Sequence, residues 1–104
     1  RPTYGIDLAR VVLQNISKSN FFNYDSYNYG QLGVITWNDF ANKISRYKNN
    51  SVNIIPCLSS EYPSGVKRPM YSALDTTRIE THFSLKILNW DLALEDCLKR
   101  IKRL

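Results

Sequence analysis

Between Thr36 and Tyr47 the chain carries its clearest structural instruction. Thr36-Trp37-Asn38-Asp39 sets a hydroxyl at a helix N-cap and an acid at the third helical position, a near relative of the capping box. Trp37, Phe40, Ala41, Ile44 and Tyr47 follow at i, i+3, i+4, i+7 and i+10, a continuous apolar stripe that reads as core. Asn49-Asn50 ends the helix. Strand-like runs lie on both sides. Ser26 to Gln31 carries Tyr27 and Tyr29 on one face, and Ser51 to Leu58 contains Pro56, which cannot donate to a ladder and so marks an edge or an end. Strand, helix and strand within about thirty residues form a βαβ unit, whose two strands are parallel with a right-handed crossover.

Two strands do not hold up alone in water, and the remaining helices are the cover available to them. Asp7 can cap a helix over about 8–18, where Leu8, Val11, Val12 and Ile16 recur at helical spacing and Leu13 widens the face. Asp75 can cap a short helix over about 76–83 with Ile79 and Phe83 one turn apart. Asn89 can cap the last, over about 90–103, with Leu94, Cys97, Leu98, Ile101 and Leu104 inward. The segment from Ser19 to Ser26 is a loop by its turn chemistry. The expected class is therefore α/β, of a small α+β-like kind: about four helices around a short two-stranded parallel βαβ unit. At 104 residues this is one domain, able to bury roughly 60–70 % of its unfolded surface.

The formal charge of +5 raises the question of nucleic acid. Four of the fourteen basic side chains fall in the last six residues, where cations complement a helix C-terminus, and no basic cluster is interleaved with aromatics. We therefore expect no nucleic-acid partner. No apolar run approaches the roughly 18 residues of a membrane span, and no signal-peptide pattern opens the chain. Cys57 and Cys97 stand alone on apolar faces, a usage that suits a reducing cytoplasm. The single histidine, His82, has no second ligand at metal spacing and reads as a surface or helix-end residue. A nucleophile elbow, a Walker A loop, a dinucleotide fingerprint and a Tyr-x-x-x-Lys pair are all missing, so no catalytic residue is assigned.

The stretch from Ser59 to Asp75 is different. Its 17 residues have no helical or strand period, and loops of that length are usually functional or disordered. Two tyrosines, two prolines and apolar Val66, Met70 and Leu74 argue for order. Lys67 and Arg68 form a cationic pair, and Arg matches a phosphate through two parallel hydrogen bonds. Pro69 biases Arg68 toward an extended conformation, which lowers the cost of presenting it. Tyr62 and Tyr71 offer flat surfaces for a base or a sugar. On composition alone, a solvated Lys-Arg pair on a surface loop is the simpler explanation of these residues.

The same residues carry a resemblance. Ser59-Ser60-Glu61-Tyr62-Pro63 with Lys67-Arg68-Pro69-Met70-Tyr71-Ser72-Ala73-Leu74-Asp75 resembles the S-x-E-Y-P…K-R-P-x-Y-S-x-L-D signature of the dTDP-4-dehydrorhamnose reductases. Pro2-Thr3-Tyr4 with Asp7-Leu8-Ala9, Thr36-Trp37-Asn38-Asp39-Phe40-Ala41, and Trp90 to Leu94 resemble further segments of that family, in the same order. The resemblance implies an extended short-chain dehydrogenase/reductase of which residues 1–104 form the C-terminal substrate-binding domain. The abrupt opening at Arg1, with no initiator Met, agrees with that expectation. It implies a dTDP-sugar as ligand at Tyr62, Lys67, Arg68 and Tyr71. It implies NADPH or NADH bound by a separate N-terminal Rossmann domain, a possible homodimer of the full-length enzyme, and a cytoplasmic location with no membrane association. The residues leave a metal requirement open. As an alternative, the resemblance also extends to the regulatory β-subunit of methionine adenosyltransferase, a non-catalytic relative of reductase-like fold.

Overall fold

Four segments have both the spacing and the end signals of helices, and all four form. The computed structural model describes residues 1–16, 18, 26–49 and 52–101, with α1 at Gly5–Asn15, α2 at Trp37–Lys48, α3 at Thr77–Phe83 and α4 at Trp90–Ile101. The chain divides into two units, one made of Arg1–Gly33 with Ala73–Leu104 and the other of Val34–Ser72.

The core belongs to the first unit. Thr76, not the expected Asp75, stands at the N-cap of α3; Asp75 accepts the Thr77 N–H at 2.9 Å from the position before it, and the helix buries Ile79 and Phe83. Ser84 closes the helix in the left-handed conformation (φ 52°), and Ile87 joins the two buried side chains in a cluster. Val11 from α1, Tyr27, Tyr29, Leu32 and Leu85 pack against it. In α4, Ala93, Leu94 and Leu98 are buried, as the stripe requires, whereas Cys97 is half-buried and Ile101 is exposed. Leu104 lies outside the described residues. Each apolar side chain fully withdrawn from water contributes roughly 1.5–3 kcal/mol, so this cluster is the main stabilising feature of the unit.

Polar groups fix how these pieces meet. The expected Asp7 cap is not made. α1 starts earlier, with Tyr4 at its N-cap, and Asp7 sits buried in the first turn. There its carboxylate accepts from Arg10 Nη1 at 2.8 Å and from Gln31 Nε2 at 3.1 Å. Gln31 is 1 % exposed. Its side-chain oxygen accepts the Tyr4 N–H, and its own N–H donates to the Pro2 carbonyl at 2.9 Å. Tyr4 donates its hydroxyl to Asp96 of α4 at 2.8 Å, and Arg100 Nε donates to the same carboxylate oxygen. Asn15 is buried and donates its side-chain amide to the Val11 carbonyl. Leu13 is exposed, so it does not widen the packed face of α1 as its position suggested.

Among the described residues the backbone forms one β-bridge. Leu32 N–H donates to Leu88 O at 3.0 Å and Trp90 N–H donates to Leu32 O at 2.9 Å, a single parallel bridge that spans Asn89. Gly33 follows with φ +95°, and a Cβ there would stand 2.5 Å from Trp90 Cδ1. Only a residue without a side chain lets the chain pass the indole at this turn.

The second unit differs from its expectation. α2 has both halves of the capping box: Asp39 N–H donates to Thr36 Oγ1 at 3.1 Å and Thr36 N–H donates to Asp39 Oδ2 at 2.9 Å. Asn49 ends the helix with φ 51°. Yet none of the stripe is buried; Trp37 is 78 % exposed and Phe40, Ala41, Ile44 and Tyr47 are half-buried. A unit of one helix and irregular chain has too little surface to enclose that face. Nor is the two-stranded parallel βαβ unit found among the described residues. Residues 26–31 are extended, with half-buried Tyr27 and Tyr29 alternating with exposed Ser26 and Asn28, but the adjoining bridge reaches Asn89 and not the 52–58 run. Residues 52–58 are mostly exposed, form no ladder and include Pro56, which lacks an N–H; Cys57 is exposed there, against the apolar placement expected of it. Among the described residues the expected α/β class reduces to four helices with one bridge.

Two outcomes follow from this architecture. Gly33→Ala must adopt a positive φ and displace Trp90, so urea unfolding is expected to show a loss of at least about 2 kcal/mol. The second concerns pH. Asp96, held below the ordinary 3.8 first by Arg100 and then by Tyr4, has its charged form favoured by folding. Asp39, through the Thr36 backbone and hydroxyl, and Asp75, through Thr77, are lowered in the same way. Their contribution is complete above about pH 4 and is lost as pH falls through the depressed values. Tyr4 and Tyr29 are raised above 10.0, chiefly by burial, so their contribution is complete below pH 10 and lost as pH rises beyond it. Denaturation midpoints measured from pH 2 to 11 are expected to show a plateau bounded on both sides.

Candidate functional site

The stretch from Ser59 begins with a locked turn. Glu61 N–H donates to the Leu58 carbonyl at 2.9 Å, and Leu58 N–H donates back to Glu61 Oε2 at 2.6 Å. A second small turn follows, in which Val66 N–H donates to Ser64 Oγ at 3.3 Å. Lys67-Arg68-Pro69 then runs without regular structure to the start of α3. Two local devices and two prolines therefore shape a segment that has no periodicity of its own.

Every residue from Ser59 to Ser72 is exposed. Tyr62 is 64 % and Tyr71 73 % exposed, and Met70 has no cover at all. Tyr62, Lys67, Arg68 and Tyr71 thus lie on one exposed stretch of the second unit. Among the described residues none of the four has a hydrogen bond, an ion pair or a ring contact. The structure brings them onto one loop without bringing the tyrosines against the cations. What this arrangement offers chemically is two unneutralised cations, one of them with a planar fork of five donors, between two unstacked aromatic rings.

Glu61 is the residue whose part in this loop the sequence reading left unassigned. Its position three residues after Leu58 is the signal: an acid can reach back over three residues to a free N–H, as it does in a capping box. Elsewhere, His82 stands in the last turn of α3, its ring edge-on to Tyr27 with centroids 5.6 Å apart. No three His, Cys, Asp or Glu side chains group as metal ligands among the described residues, and no helix there is long and apolar enough to cross a membrane. A polar hollow of about 160 Å³ lies between Ser26, Asn28, Asp75 and Arg78 in the first unit. It is smaller than the roughly 300 Å³ at which ligand sites usually begin, and Arg78 Nη1 already donates to the Ser26 carbonyl across it.

Comparison with known families matches residues 1–103 to the RmlD substrate binding domain. Among curated proteins the chain is similar to "dTDP-4-dehydrorhamnose reductase" of Aggregatibacter actinomycetemcomitans, 29 % identical over 104 residues, with 91 % of this chain and 35 % of the relative covered. It is also similar to "Spore coat polysaccharide biosynthesis protein SpsK" of Bacillus subtilis (strain 168), 29 % identical over 98 residues, with 94 % of this chain and 33 % of the relative covered. The chain spans about a third of the length of these relatives. No solved structure matches it.

Because Lys67 and Arg68 are exposed and have no hydrogen bond or ion pair among the described residues, removing them has little folding cost. Lys67→Ala and Arg68→Ala are each expected to leave the free energy of unfolding within about 0.5 kcal/mol of the parent, as read by urea titration.

Proposed function

Since the chain belongs to the RmlD substrate binding domain family, we propose that it is the sugar-nucleotide-binding part of a reductase and holds its ligand on the loop from Ser59 to Asp75. The ligand is dTDP-4-dehydro-L-rhamnose, whose 4-keto group the complete enzyme reduces to give dTDP-L-rhamnose. Lys67 and Arg68 neutralise the linking diphosphate, the Arg fork by paired hydrogen bonds and the Lys as a point charge. Tyr62 and Tyr71 border the thymine and the sugar.

The observation that carries this reading is the state of the two cations. They are exposed and, among the described residues, without an anionic partner, on a loop that also carries Tyr62 and Tyr71. A charge-assisted hydrogen bond is worth roughly 1.5–3 kcal/mol, so two such groups decide the binding of a small dianion. The name of the reductase relative supports the substrate class, and the family description supports the division of labour.

The nicotinamide cofactor, NADPH or NADH, does not fit the residues described here. Its pyrophosphate needs a glycine-rich turn entering a helix. Gly5 alone opens a helix, and a Cβ on it would meet nothing within 4 Å, so no close backbone approach is built there. We assign the cofactor to a Rossmann domain elsewhere in a longer protein, which the threefold greater length of the relatives supports. The exposed Trp37, Ile55, Leu58 and Met70 of the second unit are consistent with a covering body in that protein. Two free cysteines accord with a cytoplasmic setting.

In the full-length protein Arg68→Ala is expected to raise the KM for the dTDP-sugar about tenfold or more while leaving nicotinamide binding within about twofold. Titration of this chain with dTDP-rhamnose is expected to shift amide resonances within residues 59–75. Shifts confined to other residues, or an unchanged KM, would remove the assignment.

A further inference from the structure

We propose that Glu61 is a positioning residue for Tyr62, fixing the direction in which that ring meets the ligand. The inference rests on the loop reading above. Tyr62 stands 64 % exposed with no hydrogen bond or ring contact among the described residues, so nothing around the side chain orients it. Its direction is set by the backbone on either side. Before it, the reciprocal pair between Leu58 and Glu61 closes a turn, with the carboxylate oxygen 2.6 Å from the Leu58 N–H and the Glu61 N–H 2.9 Å from the Leu58 carbonyl. After it, Pro63 excludes the helical region for the residue that precedes it. The Tyr62 backbone, and with it the direction of the Cα–Cβ bond, is therefore held between a locked turn and a proline.

An aromatic side chain that must be ordered on binding lowers affinity, and a backbone that orders it beforehand restores affinity without a new contact to the ligand. Glu61 reaches no ligand atom in this scheme. Its carboxylate is occupied by the Leu58 N–H, and its effect passes through Tyr62. The neighbouring turn at Ser64 acts beyond Pro63 and leaves the Tyr62 backbone alone.

The test is a double-mutant cycle in the full-length protein, with the KM for the dTDP-sugar and the dissociation constant for dTDP-rhamnose as readouts. Glu61→Ala is expected to raise both about 3- to 10-fold with kcat nearly unchanged. Glu61→Gln, which keeps an acceptor oxygen for the Leu58 N–H, is expected to restore most of that affinity. In a Tyr62→Ala background, Glu61→Ala is expected to add less than about twofold, because its route of action is gone. Additive effects, or a Gln variant as weak as the Ala variant, would overturn the proposal while leaving the loop assignment standing. If Arg68→Ala and Tyr62→Ala both bind like the parent, the loop reading fails and the role of Glu61 fails with it.

Discussion

The buried amide of Gln31 is the constraint that the first unit is arranged around. One side chain and its own N–H meet three parts of the N-terminal segment: the Pro2 carbonyl, the Tyr4 N–H and the Asp7 carboxylate. A buried amide left unpaired costs about 1–3 kcal/mol, so these partners cannot be given up singly. The next residue, Leu32, clasps the backbone on either side of Asn89, and Gly33 then clears the Trp90 indole. Within three residues the chain is tied to its own beginning and to the entrance of its last helix. The apolar cluster of Ile79, Phe83 and Ile87 supplies the driving force, but these ties determine which arrangement it stabilises.

The second unit follows a different rule. Its helix is held by local devices, a capping box at one end and a left-handed Asn49 at the other, and these operate whether or not its apolar side is covered. The loop beyond it is likewise shaped by short-range hydrogen bonds and prolines. That combination suits a binding surface. The backbone is set in advance, while the side chains that would meet a ligand have no competing partner in the fold.

Legibility from the sequence tracks the range of the interaction. The capping box at Thr36 and Asp39, the Asn49 stop, and the inward placing of Ile79, Phe83, Leu94 and Leu98 were all readable, because each depends on residues within a turn or two. Burial of the α2 stripe was not readable, because a stripe shows only that a face is apolar and not what the rest of the chain can cover. The βαβ unit failed for a related reason: the Ser26–Gln31 run has strand alternation, but its backbone partner at Asn89 lies outside any local window. Gln31, Asp7 and the Tyr4–Asp96 contact were missed as polar residues whose partners stand 24 and 92 positions away. In the loop, the exposure of Tyr62, Lys67, Arg68 and Tyr71 was legible from missing periodicity. The Glu61 lock requires knowing that the Leu58 N–H has no other acceptor.

The hydrogen bond between Tyr4 and Asp96 bears on the order of events during synthesis. The first unit is built from residues 1–33 and 73–104, so the halves of its core are separated on the chain by the whole of the second unit. Ribosomes add about 5–20 residues per second, so the opening segment waits several seconds before α3 and α4 emerge to receive it. During that interval Val11, Tyr27 and Tyr29 lack the Ile79, Phe83 and Ile87 cluster that they pack on. Residues 1–33 are therefore made before the partners they pack on, and the first unit closes only after the second has been made.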